Sequence, residues 1–413
     1  MKVSLLTLGC KVNQAEAAQW EGALRSRGHA IVGLGDAPDV CVVNTCTVTG
    51  KSDYQSRQLI RRAGRTGARV LVTGCYEELN DERARGLGGV EHVVRNAEKD
   101  SIISYIDEQA HETHHLLGAA RTRAFLKVQD GCDRRCSYCL VWRARGRPRS
   151  VEPEAVARMV RRAVAEGAQE VVLTGIHLGL YGVDLTPAKP LSALVRKVLS
   201  DTAVKRVRLS SLEVGEVDQS LLELFEDERL LRHLHIPLQS GHDGVLRRMN
   251  RHYSAEAFRR RVQGISERYP GMALGTDVIA GFPGETDQAF LNTYNLLESL
   301  PFTYVHVFPY SPRPGTPAVG MPGAVSGPLK KKRAARLRSL ALEKKKAFMK
   351  RQVGRILEVL VEEELPDGLV QGTSRNYLKV RLPGEGRLKG SLVPVRIGAL
   401  EDEALWGEPV AAP

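Results

Sequence analysis

The sequence has no long apolar run and few aromatic residues. None of its hydrophobic segments approaches the roughly 20 residues that a membrane-spanning helix requires, so we expect no membrane association. Hydrophobic residues make up 42% of the 413 positions, which is enough for two or three domains with cores of their own. The segment up to Gly9 is too short and too regularly alternating for a signal peptide, and it predicts a β-strand instead. We therefore expect a cytoplasmic protein.

Acidic residues are fewer than basic ones. The sequence has 48 Asp and Glu against 60 Lys and Arg, which gives a formal net charge of +12. This excess favours a polyanionic partner, and nucleic acid is the leading class because the sequence contains no membrane segment. A basic enzyme without such a partner is the alternative, and charge alone does not separate DNA from RNA.

Cysteine is also scarce, and three of the seven cysteines lie together in the segment Gly131–Cys139. In the reducing cytoplasm such a group is more often a metal site than a set of disulfides. The spacing of Cys132, Cys136 and Cys139 is C-x3-C-x2-C, which differs from zinc-finger pairs and from the ferredoxin run. Three thiolates can hold three irons of a [4Fe–4S] cluster and leave the fourth iron open for chemistry. Structural zinc is the alternative, but it needs a fourth ligand, and His177 and His242 lie in separate loops.

Three further cysteines each follow a predicted strand of the first 115 residues: Cys10, Cys46 and Cys75. Because the carboxyl ends of parallel strands share one edge of a sheet, these thiols can converge on a second metal centre. Burial in a core is the alternative, since scattered cysteines are often core residues. Cys41, inside an apolar run, is predicted to be a buried thiol without a ligand role.

Alternating strands and helices predict an α/β fold in three domains. Residues 1–115 predict an N-terminal α/β domain with a parallel sheet, and residues 116–346 predict a partial (βα)6 barrel from six strand–helix repeats. Residues 347–413 predict a small C-terminal all-β barrel, which follows a very basic helix at residues 330–351. In the barrel, reactive groups are expected on loops beyond the carboxyl ends of the strands. Arg143–Arg149, with four arginines after the cysteine motif, is expected to meet RNA phosphates or a cofactor carboxylate, or to be a solvated loop.

Several motifs resemble those of one enzyme family. The C-x3-C-x2-C motif, with Tyr138 before its last cysteine, resembles the signature of radical S-adenosylmethionine (SAM) enzymes. The first domain is similar to that of the methylthiotransferases in three blocks: Gly9–Gln14, Asn44–Thr49 and Thr73–Tyr76. Within that family the blocks most resemble the branch that acts on N6-threonylcarbamoyladenosine (t6A) in tRNA. The C-terminal segment resembles a TRAM domain, a β-barrel that binds tRNA.

The resemblance implies two clusters with different tasks. The cluster of Cys132, Cys136 and Cys139 would bind SAM and cleave it by one-electron reduction to a 5′-deoxyadenosyl radical. Cys10, Cys46 and Cys75 would hold an auxiliary [4Fe–4S] cluster that carries the sulfur. The product would be 2-methylthio-t6A at position 37 of tRNA. The implied cofactors are therefore two [4Fe–4S] clusters and SAM, and the implied partners are tRNA, an electron donor and a sulfur source.

The resemblance also implies a SAM pocket at the ends of the barrel strands. Its expected members, besides Tyr138, are Gly175, Ser211, Glu213, Gln239, Asp277 and Ile279. Ordinary turn chemistry is the alternative for each block, since Gly, Ser and Pro occur in any such loop. No catalytic side chain is implied beyond the two clusters.

One segment departs from the family pattern. After Cys139, Trp142 stands where the family usually has Pro, and Arg143 stands where it has an aromatic residue. The cluster ligands are unaffected, so the expected reaction is the same, whereas the shape of this loop is expected to differ.

The alternative functions are methylthiolation of isopentenyladenosine in tRNA or of a ribosomal-protein aspartate, or a non-catalytic Fe–S protein that binds RNA.

Overall fold

The computed structural model describes residues 1–107 and 122–410. No helix in these ranges combines the length and the apolar character that crossing a bilayer requires. The strands are β1 (Lys2–Thr7), β2 (Ala30–Ile31), β3 (Val40–Thr45), β4 (Arg69–Gly74), β5 (Val90–Val94), β6 (Arg123–Asp130), β7 (Arg149–Ser150), β8 (Glu170–Gly175), β9 (Arg206–Leu209), β10 (His233–His235), β11 (Ala273–Ala280), β12 (Tyr304–Pro309), β13 (Ile356–Leu365), β14 (Leu369–Ser374), β15 (Lys379–Pro383), β16 (Leu392–Glu401) and β17 (Ala404–Pro409). The helices are α1 (Lys11–Ser26), α2 (Gly50–Gly64), α3 (Cys75–Leu79), α4 (Asp81–Arg85), α5 (Val141–Arg145), α6 (Pro153–Ala165), α7 (Leu191–Asp201), α8 (Gln219–Glu223), α9 (Asp243–Arg248), α10 (Ala255–Arg268), α11 (Asp287–Ser299) and α12 (Gly327–Lys350).

The chain forms two compact units that interleave along the sequence. The first comprises Met1–Glu166, Leu173–Pro190 and Ser311–Val319, and the second comprises Gly167–Val172, Leu191–Tyr310 and Gly320–Pro413. The three-domain division at 1–115, 116–346 and 347–413 stays a prediction, and its first boundary lies outside the described residues.

The first unit opens with a five-stranded parallel sheet in the order β2-β1-β3-β4-β5. Its apolar strand residues fill cores on both faces, with Val42 and Leu71 in one core and Val43 and Val72 in the other. Cys41 is fully buried in the second core, which confirms its prediction as a core thiol. The registers of β1 with β3 and of β3 with β4 bring the carboxyl ends of the three strands level with one another.

The first unit also contains the strand that leads into the cysteine motif. Here β6 lies between β7 and β8, and its alternating burial fits a strand with one packed face. Gly131 follows β6 at a φ of +77°, and a Cβ at this position would lie 2.0 Å from the carbonyl oxygen of Arg147. Only glycine allows this turn, which sends the chain directly into the motif.

The second unit contains the parallel sheet β10-β11-β12. One face of β11 is fully buried, as Leu274 and Val278 show. The other face carries Asp277 and Ile279, which pair in register with His306 and Phe308 of β12. We call this second side, which is partly exposed, the open face.

The C-terminal segment of the second unit is a closed barrel in the order β13-β14-β15-β17-β16. Its strands bury Val359, Val380 and Val395 in a common core. The small all-β barrel is therefore confirmed, and β17, which the sequence pattern did not reveal, closes it.

The basic helix α12 precedes the barrel and begins three residues earlier than expected. Ser326 caps it by accepting a hydrogen bond from the backbone N–H of Leu329, which fixes its start. Phe348 and Met349, near its end, pack into the barrel core.

Candidate iron–sulfur centres

Three cysteines follow three neighbouring strands of the first sheet. Cys10 precedes α1, Cys46 directly follows β3, and Cys75 is the first residue of α3 after β4. Cys10 is exposed, whereas Cys46 and Cys75 are buried. Because β1, β3 and β4 are adjacent and parallel, the structure brings all three thiols to one edge of the sheet, as the sequence predicted.

The backbone of these loops is held close together by small and polar residues. A Cβ at Gly9 would lie 2.8 Å from Sγ of Cys46, so only glycine permits this approach. The side-chain amide of Asn13 donates hydrogen bonds to the carbonyl oxygens of Leu8 and Thr45, at 2.7 and 2.9 Å. Asn13 thereby fastens the loop of Cys10 to the loop of Cys46.

The thiols of this group influence one another electrostatically. Burial raises the pKa of Cys46, and the neighbouring Cys10 raises it further. Burial also raises the pKa of Cys75 to about 11, although the nearby Arg145 opposes the shift. These thiols therefore resist ionisation until a cation is bound to them.

The second cysteine group lies in the loop between β6 and α5. The backbone N–H of Cys132 donates to the carbonyl oxygen of Gly146 at 3.0 Å, and that of Cys139 donates to Cys136 at 3.0 Å. The pKa of Cys139 is raised to about 12, mainly by burial and in addition by the neighbouring Cys136, Cys132 and Cys75. Nε of Arg145, six residues after Cys139, donates to Sγ of Cys75 at 3.3 Å, so the two cysteine groups are neighbours within the first unit.

His177, one of the two residues considered as a fourth zinc ligand, does reach this group. Its Nδ1 lies 3.4 Å from Sγ of Cys132. His242, the other candidate, instead caps α9 by accepting from the backbone N–H of Val245.

Arg145 connects the two cysteine groups from a fully buried position. Its Nε donates to Sγ of Cys75 at 3.3 Å, and its Nη1 donates to Oε1 of Glu16 at 2.6 Å. The same nitrogen lies 3.3 Å from Oδ2 of Asp130, the residue that ends β6. The side chain of Arg145 is 0% exposed, so the expectations that it would meet RNA phosphates or belong to a solvated loop are wrong for this residue. A contact with a cofactor carboxylate stays a prediction. The guanidinium of Arg145 is used within the protein because four buried acceptor residues surround it, Cys75, Glu16, Asp130 and Asn13.

Glu16 is the centre of a buried network of charges. Lys99 donates to Glu16 at 2.7 Å and Lys127 at 3.1 Å, in addition to Arg145. Although burial alone would raise the pKa of Glu16, the three cations hold it well below its usual range. Asn44 donates to Glu16 as well, at 3.2 Å. This network fixes α1, β3 and the end of α5 around the cysteine loops.

The two residues that depart from the family pattern are both engaged. The guanidinium of Arg135 lies over the ring of Trp142, at 5.4 Å from its centroid. Arg143 donates to the carbonyl oxygen of Gly315 at 3.2 Å. Trp142 and Arg143 therefore give this loop its own set of contacts.

A distant segment, Ser311–Val319, joins the two cysteine loops. The backbone N–H of Ala318 donates to the carbonyl oxygen of Ser137, in the second cysteine group. Arg313 pairs with Asp53 at 2.8 Å and also donates to Thr47, which follows Cys46. The segment is thus a brace that contacts the loops of both groups.

The expected members of the SAM pocket are distributed over both units. In the first unit, Tyr138 lies within the cysteine motif and Gly175 ends β8. A Cβ at Gly175 would lie 2.7 Å from Oε1 of Gln129, which explains the need for glycine. The role of these two residues in SAM binding stays a prediction.

The other five expected members lie in the second unit. Oγ of Ser211 lies 2.7 Å from Nδ1 of His235, and Glu213 pairs with Arg251. The backbone N–H of Gln239 donates to Asp277 at 2.8 Å, and that of Ile279 donates to Gln239 at 3.0 Å. The structure therefore brings Gln239, Asp277 and Ile279 together around β11. Whether they contact SAM stays a prediction.

Both cysteine groups suit a multi-iron cluster better than a single metal ion. Thiolates are the usual ligands of iron in such clusters. A single metal ion needs ligand atoms that lie close together. Within residues 1–107 and 122–410, the three ligand atoms of one group of His and Asp residues lie within 4.8 Å of one another, and no cysteine belongs to this group. The cysteine groups are therefore wider than a site for one ion, and their thiolates would be stabilised by coordination.

Known proteins match this chain over nearly its whole length. The model of the Radical SAM superfamily matches residues 126–297, and that of "Uncharacterized protein family UPF0004" matches residues 2–95. The threonylcarbamoyladenosine tRNA methylthiotransferase MtaB of Bacillus subtilis (strain 168) is 37% identical, over 96% of this chain and 93% of that protein. The chain belongs to the radical SAM methylthiotransferase family. A second MtaB protein, from Aquifex aeolicus (strain VF5), is 35% identical over 96% of this chain and 100% of that protein.

Family membership confirms the resemblance to the radical SAM methylthiotransferases that the sequence motifs indicated. As a radical SAM methylthiotransferase, the chain is an enzyme that uses SAM and a [4Fe–4S] cluster, together with an auxiliary cluster. A relative named tRNA-2-methylthio-N(6)-dimethylallyladenosine synthase, from Syntrophobacter fumaroxidans (strain DSM 10017 / MPOB), is 31% identical over 98% of this chain and 95% of that protein.

Solved structures confirm the fold class. The radical SAM methyltransferase TsrM from Kitasatospora setae matches with a TM-score of 0.57 over 77% of each chain, at 16% identity. OxsB, a cobalamin-dependent SAM radical enzyme, matches with a TM-score of 0.51 over 83% of this chain and 56% of that one, at 12% identity.

Sequence reasoning missed Glu16 and Lys99, and it noted Arg145 only as one of the arginines of Arg143–Arg149. Glu16, Lys99 and Arg145 lie far apart in the sequence, and charged residues of this kind are usually exposed. The one available signal was the position of Arg145, six residues after Cys139. Arg313 carries no sequence signal beyond its place in a Pro/Gly-rich stretch.

Proposed function

We propose that this methylthiotransferase converts t6A at position 37 of tRNA into 2-methylthio-t6A, in the cytoplasm. The observation that carries the proposal is the neighbouring placement of two three-cysteine groups in a chain that is 35–37% identical, over nearly its whole length, to proteins named for this substrate. A group of three thiolates leaves one iron of a four-iron cluster without a protein ligand. Two such groups match a reaction that needs both a radical and a sulfur donor.

The residues of the chain have separate tasks in this proposal. Cys132, Cys136 and Cys139 would hold the cluster that supplies reductive cleavage of SAM, and the other group would hold the cluster that supplies sulfur. Gly131 turns the chain so that the motif begins directly after β6. Arg145 and Asn13 fix the cysteine loops relative to one another.

The basic helix α12 is proposed as part of the tRNA contact. Lys331 and Lys332 are exposed on it, whereas Arg333 is buried in ion pairs with Glu285 and Asp287, at 2.7 and 2.6 Å. Exposed lysines suit phosphate contacts, which carry much of the affinity of proteins for nucleic acids. We also propose that the C-terminal barrel acts as a TRAM-type tRNA-binding domain, since it follows this helix directly.

Nucleoside mass analysis of tRNA tests the proposal. Cells that lack the gene should lose 2-methylthio-t6A and accumulate t6A, and the gene should restore the product. Anaerobically reconstituted, reduced enzyme should also release 5′-deoxyadenosine from SAM and form 2-methylthio-t6A on tRNA that carries t6A. If 2-methylthio-t6A persisted while another methylthio-nucleoside disappeared, the substrate assignment would be wrong.

A further inference from the structure

The open face of the second unit carries a connected row of polar side chains. Oδ1 of Asp277 lies 3.1 Å from Nδ1 of His306 and 3.1 Å from Nε2 of His235. Nδ1 of His235 in turn lies 2.7 Å from Oγ of Ser211. The row therefore runs from Ser211 through His235 and Asp277 to His306.

The row is anchored at one end and open at the other. His235 is 8% exposed, whereas the side chain of Asp277 is 24% exposed and that of His306 is 58% exposed. Because Nδ1 of His306 faces Asp277, its Nε2 lies on the opposite side of the ring and is directed away from the carboxylate. His306 thus presents one nitrogen to a ligand while the other fixes its orientation.

The carboxyl group of Asp277 is ionised beside His306. Burial alone would raise the pKa of Asp277, but the contacts with His235 and His306 lower it well below its ordinary range. With both of its ring nitrogens protonated, an imidazole placed in this way donates one hydrogen bond to the carboxylate of Asp277 and another to an anionic acceptor.

Two aromatic rings lie close to the imidazole of His306. The ring of Phe308, which is 39% exposed, lies at 6.5 Å in an edge-on arrangement, and the ring of Tyr304 lies at 5.2 Å. Asp277 and His306 lie midway along β11 and β12, and Ile279 and Phe308 lie nearer to the carboxyl ends, where parallel βα folds bind their ligands. A base with a polar, anionic substituent matches this combination of apolar rings and an imidazole hydrogen-bond donor.

We infer that His306, held by Asp277 and His235, recognises the acidic threonylcarbamoyl group of the substrate adenine and rejects adenines with an apolar N6 substituent. The inference rests on the proposed function. The threonyl part carries a carboxylate and a hydroxyl, which can pair with His306 and Asp277. An isopentenyl group offers neither, so it would leave these polar groups without partners, and sites built for hydrogen bonding discriminate strongly in that situation.

The test compares two anticodon stem–loops that differ only in carrying t6A or isopentenyladenosine at position 37. Their affinities for the anaerobic holoenzyme are measured by fluorescence anisotropy, with iron content and circular dichroism as folding checks. The wild type should prefer the t6A RNA by about tenfold or more, as expected of one charged hydrogen bond. His306→Ala should reduce this preference to near one while affinity for the isopentenyl RNA stays unchanged, and His306→Arg should retain part of the preference.

His92→Ala serves as the matched control, because His92 is an exposed histidine on β5. It should keep the full preference. An unchanged preference in His306→Ala, or equal weakening for both RNAs, would overturn the inference. A preference that disappears on adding a chelator of divalent cations would also overturn it, because His235, Asp277 and His306 would then act through a bound metal ion. Failure of the proposed function would show separately, as a wild type that forms no 2-methylthio-t6A.

Discussion

At the scale of single residues, Arg145 explains how the loops of the two cysteine groups keep their places. Its guanidinium contacts Cys75, Glu16 and Asp130, which belong to three separate segments of the first unit. Each contact is buried, so each is little screened by solvent. Hydrogen bonds to ligand sulfurs also tune the reduction potentials of iron–sulfur clusters. Arg145 is therefore both a structural tie and a positioning residue for the auxiliary group.

Replacing Arg145 should be strongly destabilising. Arg145→Ala leaves Glu16 and Asp130 with less compensation in a buried site, which typically costs about 3–5 kcal/mol. Arg149→Ala is the matched control, because Arg149 contacts the same Asp130 at 3.6 Å from a side chain that is 51% exposed, and loss of such a pair costs about 0–1 kcal/mol. Urea unfolding followed by circular dichroism measures both changes. Equal losses in the two variants would contradict the role given to Arg145.

Glu16 should make stability depend on acid pH. Its pKa is lowered in the folded protein, so its contribution to stability is complete above the pKa of the unfolded chain, about 4.3, and is lost as pH falls through the folded pKa. Cluster-free wild type should therefore exceed Glu16→Gln in stability at pH 7, and the difference should shrink progressively below about pH 4.3. Urea midpoints at a series of pH values measure this. A difference that grows on acidification would show that the three cations do not act on Glu16 in the way the structure indicates.

At the scale of elements, sharp turns at strand ends place the cysteines. Gly74 and Gly131 both adopt positive φ values and both directly precede a cysteine; Gly74 ends β4, and Gly131 directly follows β6. At Gly74 a Cβ would lie 2.4 Å from the carbonyl oxygen of Thr45, and at Gly131 it would lie 2.0 Å from that of Arg147. Backbone packs against backbone at these points, so a side chain has no space into which it can rotate.

Gly131→Ala should disturb the motif that follows β6. The clash with backbone forces the loop to move, so we expect a loss of iron bound by Cys132, Cys136 and Cys139 and a loss of SAM cleavage. Gly167→Ala is the control, because Gly167 also has a positive φ, +96°, but has open space around its Cα. It should cost only about 1 kcal/mol of stability and leave iron content unchanged. The iron content and the release of 5′-deoxyadenosine are measured for both variants. Equal loss of iron in the two would refute the clash argument.

Helix α12 offers an element-scale test of RNA binding. Lys331→Gln combined with Lys332→Gln removes two exposed charges, and each lost phosphate contact should lower the slope of log affinity against log salt by about 0.7–0.9. Arg260→Gln combined with Arg261→Gln is a control with the same change of net charge on α10. Filter binding of tRNA at several salt concentrations measures the slopes. Equal slopes for the two double variants would show that α12 makes no specific contact.

At the scale of the whole molecule, the sequence was sufficient to predict the α/β fold class and the placement of three cysteines at one edge of the first sheet. Strands such as β3 and β4 could be predicted because each is a short apolar run that ends in Asn, Thr or Gly, whereas β17 was missed. The convergence of Cys10, Cys46 and Cys75 followed from parallel pairing alone. Family membership then confirmed the reaction class.

Contacts between distant segments could not be predicted in the same way. Arg145 lies 129 positions from Glu16, and Arg313 lies 260 positions from Asp53. No periodic pattern links such residues, because the sheet and its helices have to form before their side chains meet. The row that ends at His306 has the same origin, since it depends on the register of β11 with β12.

The central claim is that the two cysteine groups have separable tasks in one reaction. It is tested most directly by measuring 5′-deoxyadenosine and 2-methylthio-t6A together, in anaerobically reconstituted Cys10→Ala and Cys132→Ala enzymes of known iron content. Cys10→Ala should still release 5′-deoxyadenosine from SAM but form no 2-methylthio-t6A, whereas Cys132→Ala should do neither. Loss of SAM cleavage in a folded Cys10→Ala enzyme that retains the Cys132 cluster would contradict the account.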